Sequence, residues 1–218
     1  VARSAPSGES VSLLTYARPF LQSLVGPDVS LSGSRLHIPG SLPIRVSTVL
    51  GNRRIHRLLD QVLAPGATVI DVGANIGVNT VYVATRVGPT GRVLAVEPTG
   101  DNLDVLRRNV AANRLTNVQV AAVAAGRARE TREFFIRGDI SAVNSFYAES
   151  IYAEVTQVVR VPVEPLDDLI DGEADVVKID VEGAELDVLA GMTRLLRSPR
   201  IALVVEWHPL LQDKAGVD

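Results

Sequence analysis

From residue 68 onward, short apolar runs alternate with stretches in which apolar residues recur every three or four positions. Buried strands are predicted by the apolar runs at residues 68–72, 92–96, 118–123, 176–180 and 201–205. Helical spacing predicts three helices between the strands. They cover residues 76–87, the residues that follow a cap at Thr99 or Asp101, and residues 184–196. This alternation predicts an α/β fold, with a parallel sheet and helices on both of its faces.

One segment, residues 124–163, interrupts the alternation. Residues 134–136 and 158–163 have the apolar, β-branched character of strands and flank a polar stretch at residues 138–154. We therefore expect an inserted hairpin or lid, followed by a short helix start at residues 166–170.

The chain before residue 68 has a more broken pattern. Residues 36–38 and 44–46 could pair as a small hairpin, and residues 51–63 have helical spacing. We predict two parts of the chain: a cap segment on the substrate side, residues 1–50, and a Rossmann-like domain with the insert, residues 51–218.

Composition and charge exclude several classes of site and partner. The 218 residues include no cysteine, which excludes disulfides, thiolate metal sites and a cysteine nucleophile. The net charge of −3 argues against nucleic acid as the main partner, because phosphate binding favours a basic surface. No apolar run approaches the roughly 20 residues of a membrane span, and no signal peptide is visible. We therefore predict a cytoplasmic protein with no membrane span.

The turn after the first predicted strand is rich in small residues, since residues 68–77 read T-V-I-D-V-G-A-N-I-G. Asp71 comes before the first glycine, unlike the dinucleotide pattern G-x-G-x-x-G, and could face the ammonium of S-adenosylmethionine, whereas it would repel a pyrophosphate. Gly73 would let a ligand approach the backbone, Asn75 tolerates unusual backbone angles, and Gly77 would let the helix pack near the strand. A tight turn that binds no ligand is the alternative.

Glu97 closes the second predicted strand, about twenty residues after the glycines. A carboxylate at this point could accept two hydrogen bonds from a ribose diol, although it could also be a surface acid before Pro98. Asp71 and Glu97 together favour a nucleoside ligand. The missing second glycine and the position of Asp71 favour S-adenosylmethionine over NAD.

Two acids alternate where the fourth predicted strand ends, in the sequence V-K-I-D-V-E-G-A-E at residues 177–185. Asp180 and Glu182 would lie at the carboxyl edge of the sheet, where open α/β sheets bind ligands. Either acid could take a proton from a substrate hydroxyl or hydrogen-bond to it, or both could instead cap the following helix. We expect Lys178 to pair with a neighbouring acid.

These motifs together resemble the FkbM family of S-adenosylmethionine-dependent methyltransferases. The resemblance rests on V-I-D-V-G-A-N-I-G, V-E-P, K-I-D-V-E-G-A-E and V-V-E-W-H-P, and covers residues 62–209. It implies a class I methyltransferase fold, methyltransferase activity and S-adenosyl-L-methionine as cofactor. It also implies an acceptor hydroxyl on a sugar, a glycolipid or another natural product.

The predicted site follows from the motifs and from this resemblance. The candidate cofactor-binding residues are Asp71, Gly73, Ala74, Asn75, Gly77, Thr80, Glu97, Asn102, Asn144 and Ser145. The last two lie in a stretch similar to the family's S-x-x-N-S segment. The candidate catalytic residues are Asp180, Glu182 and His208.

Glu206 and His208 alternate at the end of the fifth predicted strand and would point to one face. His208 could be the general base, could join the nearby acids in holding a divalent metal that orients a sugar diol, or could hydrogen-bond to nearby backbone. We predict no metal site, although the acids leave room for one.

The family's fold usually ends with two further strands, whereas this chain stops nine residues after Pro209. An open sheet edge favours association, so we expect either a homodimer contact or a truncated chain. The expected partner is a small-molecule or glycan acceptor, with no nucleic acid. The alternatives to a methyltransferase are a non-catalytic nucleoside-binding module and an NAD-linked oxidoreductase.

Overall fold

The computed structural model describes residues 26–137, 144–147 and 154–207. The elements follow one another along the chain as β1 (Asp28–Leu31), β2 (Ser34–His37), α1 (Leu42–Leu59), β3 (Thr68–Val72), α2 (Val78–Val87), β4 (Arg92–Val96), α3 (Gly100–Ala112), β5 (Val118–Ala121), β6 (Ala124–Ala125), β7 (Glu130–Ile136), β8 (Gln157–Glu164), α4 (Leu166–Leu169), β9 (Val176–Ile179), α5 (Glu185–Ala190) and β10 (Ala202–Val205). A 3₁₀ helix, Leu195–Arg197, precedes β10.

The central sheet confirms the predicted parallel arrangement. Its five described strands lie in the order β10-β9-β3-β4-β5, and every neighbouring pair is parallel. β3 is the middle strand, so its carboxyl end lies between the ends of β4 and β9. The sheet therefore brings the first predicted turn next to both acidic motifs.

Alternate residues of the strands pack against helices on opposite faces of the sheet, as period-two side-chain geometry requires. One face packs against α4, α5 and the 3₁₀ helix, and its buried residues include Ile70, Val72, Val177, Ile179, Leu166, Val188 and Met192. The other face packs against α1 and α2 through Val69, Val93, Val176, Leu59, Tyr82 and Val87. The predicted helices on both faces are therefore confirmed.

The predicted hairpin between residues 36–38 and 44–46 is wrong. β2 pairs with β1 instead, through a tight turn in which Ser32 and Gly33 have positive φ angles of 52° and 84°. Residues 44–46 lie in α1, because Pro43 occupies the first turn of that helix, where the missing N–H removes no hydrogen bond. The predicted boundary between residues 50 and 51 falls inside this helix.

The insert forms a small sheet of its own in the order β6-β8-β7. β7 and β8 are antiparallel, with Phe134 opposite Val159, which confirms the two strands predicted there.

The helix predicted over residues 184–196 is shorter, since α5 ends at Ala190. A Cβ at Gly191 would overlap the carbonyl oxygen of Gly126, so the chain passes this point at close range.

Among the described residues, no helix combines the length and the apolar character needed to cross a bilayer.

Residues 1–50 were predicted as a cap, and the part of them that is described packs over the start of α2. The buried contacts there include Val29, Leu36, Ile38, Val49, Val78 and Val81. This layer lies beside the carboxyl edge of the central sheet.

Candidate functional site

A cavity of about 620 Å³ opens at the carboxyl ends of β3, β4 and β9. The turn after β3 forms its floor, α1 covers it, and Phe134 and Phe146 of the insert form one wall. Its volume lies within the roughly 300–1,000 Å³ of small-molecule sites. Its position at the strand ends is the one at which open α/β sheets bind ligands.

Left-handed backbone angles shape the turn, with φ of 74° at Gly73, 50° at Asn75 and 84° at Gly77. A Cβ at Gly73 would overlap the carbonyl oxygen of Asp180, and one at Gly77 would overlap the side chain of Leu106 on α3. Both glycines are therefore required by protein packing. Ligand approach at Gly73 stays a prediction, since Gly73 also lines the cavity, and the contact at Gly77 shows that the start of α2 packs closely against α3.

The backbone amides of the turn all donate within the protein. Gly73 and Ala74 both donate to the carbonyl oxygen of Val96 at 3.0 Å, and Asn75 donates to Oε2 of Glu97 at 2.9 Å. Sites for pyrophosphate need such amides to point at the ligand. Because these amides are engaged within the protein, the turn lacks the amide donors that a pyrophosphate site uses.

Glu97 is buried and rigidly held. Its Oε1 accepts hydrogen bonds from the Thr99 amide at 3.1 Å, the Thr99 hydroxyl at 2.6 Å and the Asn102 side chain at 3.1 Å. Its Oε2 accepts from the Asn75 amide, and Glu97 lines the cavity. Three donors occupy Oε1, so Oε2 is the oxygen with capacity for a ligand hydroxyl.

Asp71 lies below the turn in a buried network. Its Oδ2 accepts a hydrogen bond of 2.6 Å from the Thr80 hydroxyl, and its Oδ1 lies 3.3 Å from Nζ of Lys178. Asp71 is fully buried and does not line the cavity. Its immediate cation in this structure is Lys178, and direct contact with a ligand ammonium stays a prediction.

Lys178 links the first turn to the acidic motif. Its ammonium donates to the carbonyl oxygen of Gly73 at 3.2 Å and lies 3.3 Å from carboxylate oxygens of both Asp71 and Asp180. Burial by itself lowers the pKa of Lys178, but the attraction of Asp180 and Asp71 and their hydrogen bonds raise it above its ordinary value. The predicted pairing of Lys178 with a neighbouring acid is confirmed.

Three carboxylates line the cavity beside this network: Asp180 and Glu182 after β9, and Glu206 after β10. The Glu206 amide donates to the carbonyl oxygen of Ile179 at 2.9 Å, which ties the end of β10 to β9. Glu182 has a positive φ of 52°, an uncommon conformation for a residue with a Cβ. Such strain occurs mainly where surrounding structure fixes a functional group.

The insert contributes a buried cation that the sequence did not indicate. The Arg137 guanidinium donates to the Ser145 hydroxyl at 3.0 Å and to the carbonyl oxygen of Tyr147, and its backbone amide donates to Oδ1 of Asn144. Burial lowers the pKa of Arg137, and the charge of Glu182 opposes that shift. A charged residue directly after F-F-I was the sequence signal that could have identified it.

The cavity collects most of the predicted residues. Those that line it are Gly73, Ala74, Asn75, Glu97, Asn102, Asn144, Asp180 and Glu182. Four others support these from behind or alongside and do not line it: Asp71, Gly77, Thr80 and Ser145. His208 lies outside the described residues. Within the described part of the chain, no group of three or more His, Cys, Asp or Glu is arranged to hold a metal ion.

Comparisons with known proteins identify the family of this chain. The profile of the family described as "Methyltransferase FkbM domain" matches residues 71–217. Hexuronic acid methyltransferase AglP of Haloferax volcanii is 30% identical over 178 residues, which are 80% of this chain and 67% of that protein. Methyltransferase 1 of Beauveria bassiana is 28% identical over 57% of each chain, so this chain spans little more than half of that relative.

A solved structure, methyltransferase FkbM from Methylobacillus flagellatus, is similar to this chain with 20% sequence identity and a TM-score of 0.46. The similarity covers 94% of this chain and 52% of that one.

Proposed function

Since the chain belongs to the FkbM methyltransferase family, we propose that it transfers a methyl group from S-adenosyl-L-methionine to a hydroxyl group of a sugar, a glycolipid or another natural product. The α/β fold with its parallel sheet is the class I methyltransferase fold predicted from the sequence.

The observation that carries the cofactor assignment is the polar character of the turn after β3. Its amides are engaged by Val96 and Glu97, which leaves a surface of carboxylate and carbonyl oxygens suited to hydroxyl and ammonium groups and unsuited to phosphate. S-adenosylmethionine carries a ribose diol and an ammonium, and no phosphate. Oε2 of Glu97 would accept a hydrogen bond from the ribose, with Asn102 and Thr99 fixing the carboxylate.

Bound S-adenosylmethionine would supply the methyl group as a sulfonium. The chain would supply position and a proton acceptor, which are the main needs of such a transfer. Asp180 is held by Lys178 at 3.3 Å, so we assign it to orienting the acceptor hydroxyl. Glu182, which lines the same cavity, would receive the proton, and His208 remains a second candidate for that role.

The acceptor assignment is supported by the carboxylates around the cavity. Asp180, Glu182 and Glu206 are hydrogen-bond acceptors suited to a polyhydroxyl molecule, and Phe134 and Phe146 offer apolar faces beside them. The relative named for a hexuronic acid substrate supports a carbohydrate-like acceptor. An acceptor carboxylate would meet like charge at this cavity, so we favour a neutral acceptor for this chain.

Thermal-shift measurements with S-adenosylmethionine, S-adenosylhomocysteine and NAD test the cofactor assignment. A ligand that binds the folded state raises the melting temperature by mass action. We expect both sulfur compounds to raise it and NAD to leave it unchanged. A rise with NAD and none with the sulfur compounds would support an oxidoreductase instead.

Activity separates the enzyme from a binding module that retains the fold. Neutral glycosides, hexuronic acids and hydroxylated natural products would be offered as acceptors, with formation of S-adenosylhomocysteine measured. We expect turnover with a neutral hydroxyl acceptor, a loss of about a hundredfold or more in Asp180→Asn, and unchanged S-adenosylhomocysteine affinity in that variant. Equal turnover in Asp180→Asn would remove Asp180 from the mechanism.

A further inference from the structure

The outer face of α1 carries a cationic and apolar stripe that the methyltransferase site does not use. Leu50, Arg53, Arg54, Arg57 and Leu58 follow the spacing i, i+3, i+4, i+7, i+8, which places them on one side of the helix. All five are exposed, with Leu50 at 48% and Leu58 at 42% exposure. We call these five residues the α1 outer stripe.

The charge of this helix differs from that of the whole chain. The chain carries a net charge of −3, whereas residues 42–59 contain four arginines and no acidic residue. One of the four, Arg45, is buried and donates to the carbonyl oxygen of Gly40. The nearest acid along the chain, Asp60, accepts a hydrogen bond from Tyr82 at 2.6 Å and pairs with Arg86.

Exposed leucines accompany the arginines. The described residues include ten exposed large hydrophobic side chains, and four of these, Leu42, Leu50, Leu58 and Val62, lie on α1 or just after it. Contact with phosphate groups in water does not stabilise an exposed leucine. Entry into the headgroup region of a bilayer does stabilise it, because its apolar surface then leaves water. Arginine side chains suit the same place, since their stems are apolar and their guanidiniums pair with phosphates.

We propose that the α1 outer stripe docks the protein on an anionic lipid surface. The opposite side of the same helix lines the cavity with Ile44, Thr48 and Asn52, so docking would place α1 between the cavity and the membrane. This proposal does not depend on the identity of the cofactor or the acceptor. It concerns peripheral binding and needs no membrane-spanning helix.

Sedimentation with lipid vesicles tests the proposal. The full chain is mixed with vesicles of phosphatidylcholine, or of equal parts phosphatidylcholine and phosphatidylglycerol, and the bound fraction is measured. We expect binding to the anionic vesicles that weakens as salt is raised, and little binding to the neutral ones. Equal binding to both compositions, or to neither, would overturn the proposal.

Charge variants locate the surface. The variant Arg53→Gln, Arg54→Gln, Arg57→Gln should bind anionic vesicles about a hundredfold more weakly, because each arginine near an anionic surface contributes roughly fivefold. A control with the same charge change replaces three exposed arginines elsewhere, Arg107, Arg108 and Arg127, by glutamine. Equal losses in the two triple variants would mean that net charge, and not this stripe, governs binding.

Leucine variants separate lipid from nucleic acid. Leu50→Ser with Leu58→Ser should weaken vesicle binding several-fold while leaving any binding to single-stranded RNA unchanged. Tighter binding to RNA than to anionic vesicles, with no effect of the leucine variant on either, would overturn the lipid assignment. Circular dichroism and melting temperature of each variant verify that it is folded.

Discussion

Lys178 lies between the buried carboxylate of Asp71 and the partly exposed carboxylate of Asp180, and its replacement by methionine should give a large loss of stability. The side chains of Lys178 and Asp71 are 3% and 1% exposed, so neither can be rehydrated after the partner is removed. Breaking a buried ion pair by removing one partner typically costs about 3–5 kcal/mol, because an uncompensated charge remains inside. Asp180 is 26% exposed and would be partly solvated, so the loss comes mainly from Asp71.

We therefore expect Lys178→Met to lower the free energy of unfolding at pH 7 by about 3 kcal/mol or more, measured by urea denaturation followed by circular dichroism. Because the pKa of Lys178 is raised in the folded protein, the stability that its charge contributes is fully present below the pH at which an unfolded lysine titrates. This contribution disappears only as pH rises through the higher folded value. The contribution of Lys178 to stability should thus be constant through neutral pH.

A double variant identifies Asp71 as the cause. The double variant Lys178→Met, Asp71→Asn should lose about 1–3 kcal/mol less stability than the two single variants lose together, because the uncompensated buried charge is gone. Arg200→Met breaks an exposed pair with Glu173 and serves as the control, with an expected loss below about 1 kcal/mol. A Lys178→Met loss as small as that of the control would refute the buried-network reasoning.

Three further predictions test other parts of the fold. Gly51→Ala in the middle of α1 should raise the free energy of unfolding by about 1 kcal/mol in urea, since a Cβ there meets no atom within 4 Å; a loss would contradict that open space. Burial lowers the pKa of His56 to about 4, so stability should fall as pH drops from 6.5 towards 4, by on the order of 2–3 kcal/mol. His56→Phe keeps the stacking on Tyr82 and should flatten that acid limb in urea titrations at several pH values, whereas an unchanged limb would assign it to other groups. Gly73→Ala should lower the free energy of unfolding by more than about 3 kcal/mol or prevent folding, because its Cβ would overlap Asp180. Gly172→Ala, with φ of 86° and open space around it, should lower it by about 1 kcal/mol in thermal melts. Equal losses would mean that backbone strain dominates, and not overlap with Asp180.

The sequence predicted the central sheet well because its three inner strands are buried on both faces. β3, β4 and β9 are short, mainly apolar runs, interrupted by Asp71 in β3 and Lys178 in β9, and each ends where a charged residue or a glycine follows. Asp180 and Glu97 could be predicted as neighbours of the turn for the same reason, since parallel strands bring their carboxyl ends to one edge. The pattern of a buried parallel sheet thus carried both the fold and the main acids of the site.

The sequence failed where one residue type serves two structures. The predicted hairpin of residues 36–38 and 44–46 required a turn around Pro43, but Pro43 lies in the first turn of α1, where proline is equally favourable. A Cβ at Gly73 would overlap the carbonyl oxygen of Asp180, and this packing reason for glycine could not be predicted from the sequence. Arg137 could not be placed, because its partners Ser145 and Tyr147 come from a bridge to β7 that no local pattern encodes.

The central claim is that the cavity beside Glu97 binds S-adenosylmethionine through its ribose. Isothermal titration calorimetry with S-adenosylhomocysteine on the wild type, on Glu97→Ala and on the exposed control Glu173→Ala tests it directly. We predict binding to the wild type and the control with equal affinity, and at least a tenfold weaker affinity in folded Glu97→Ala, as expected for a lost hydrogen bond to a charged group. Unchanged affinity in Glu97→Ala, or no binding to the wild type, would contradict it.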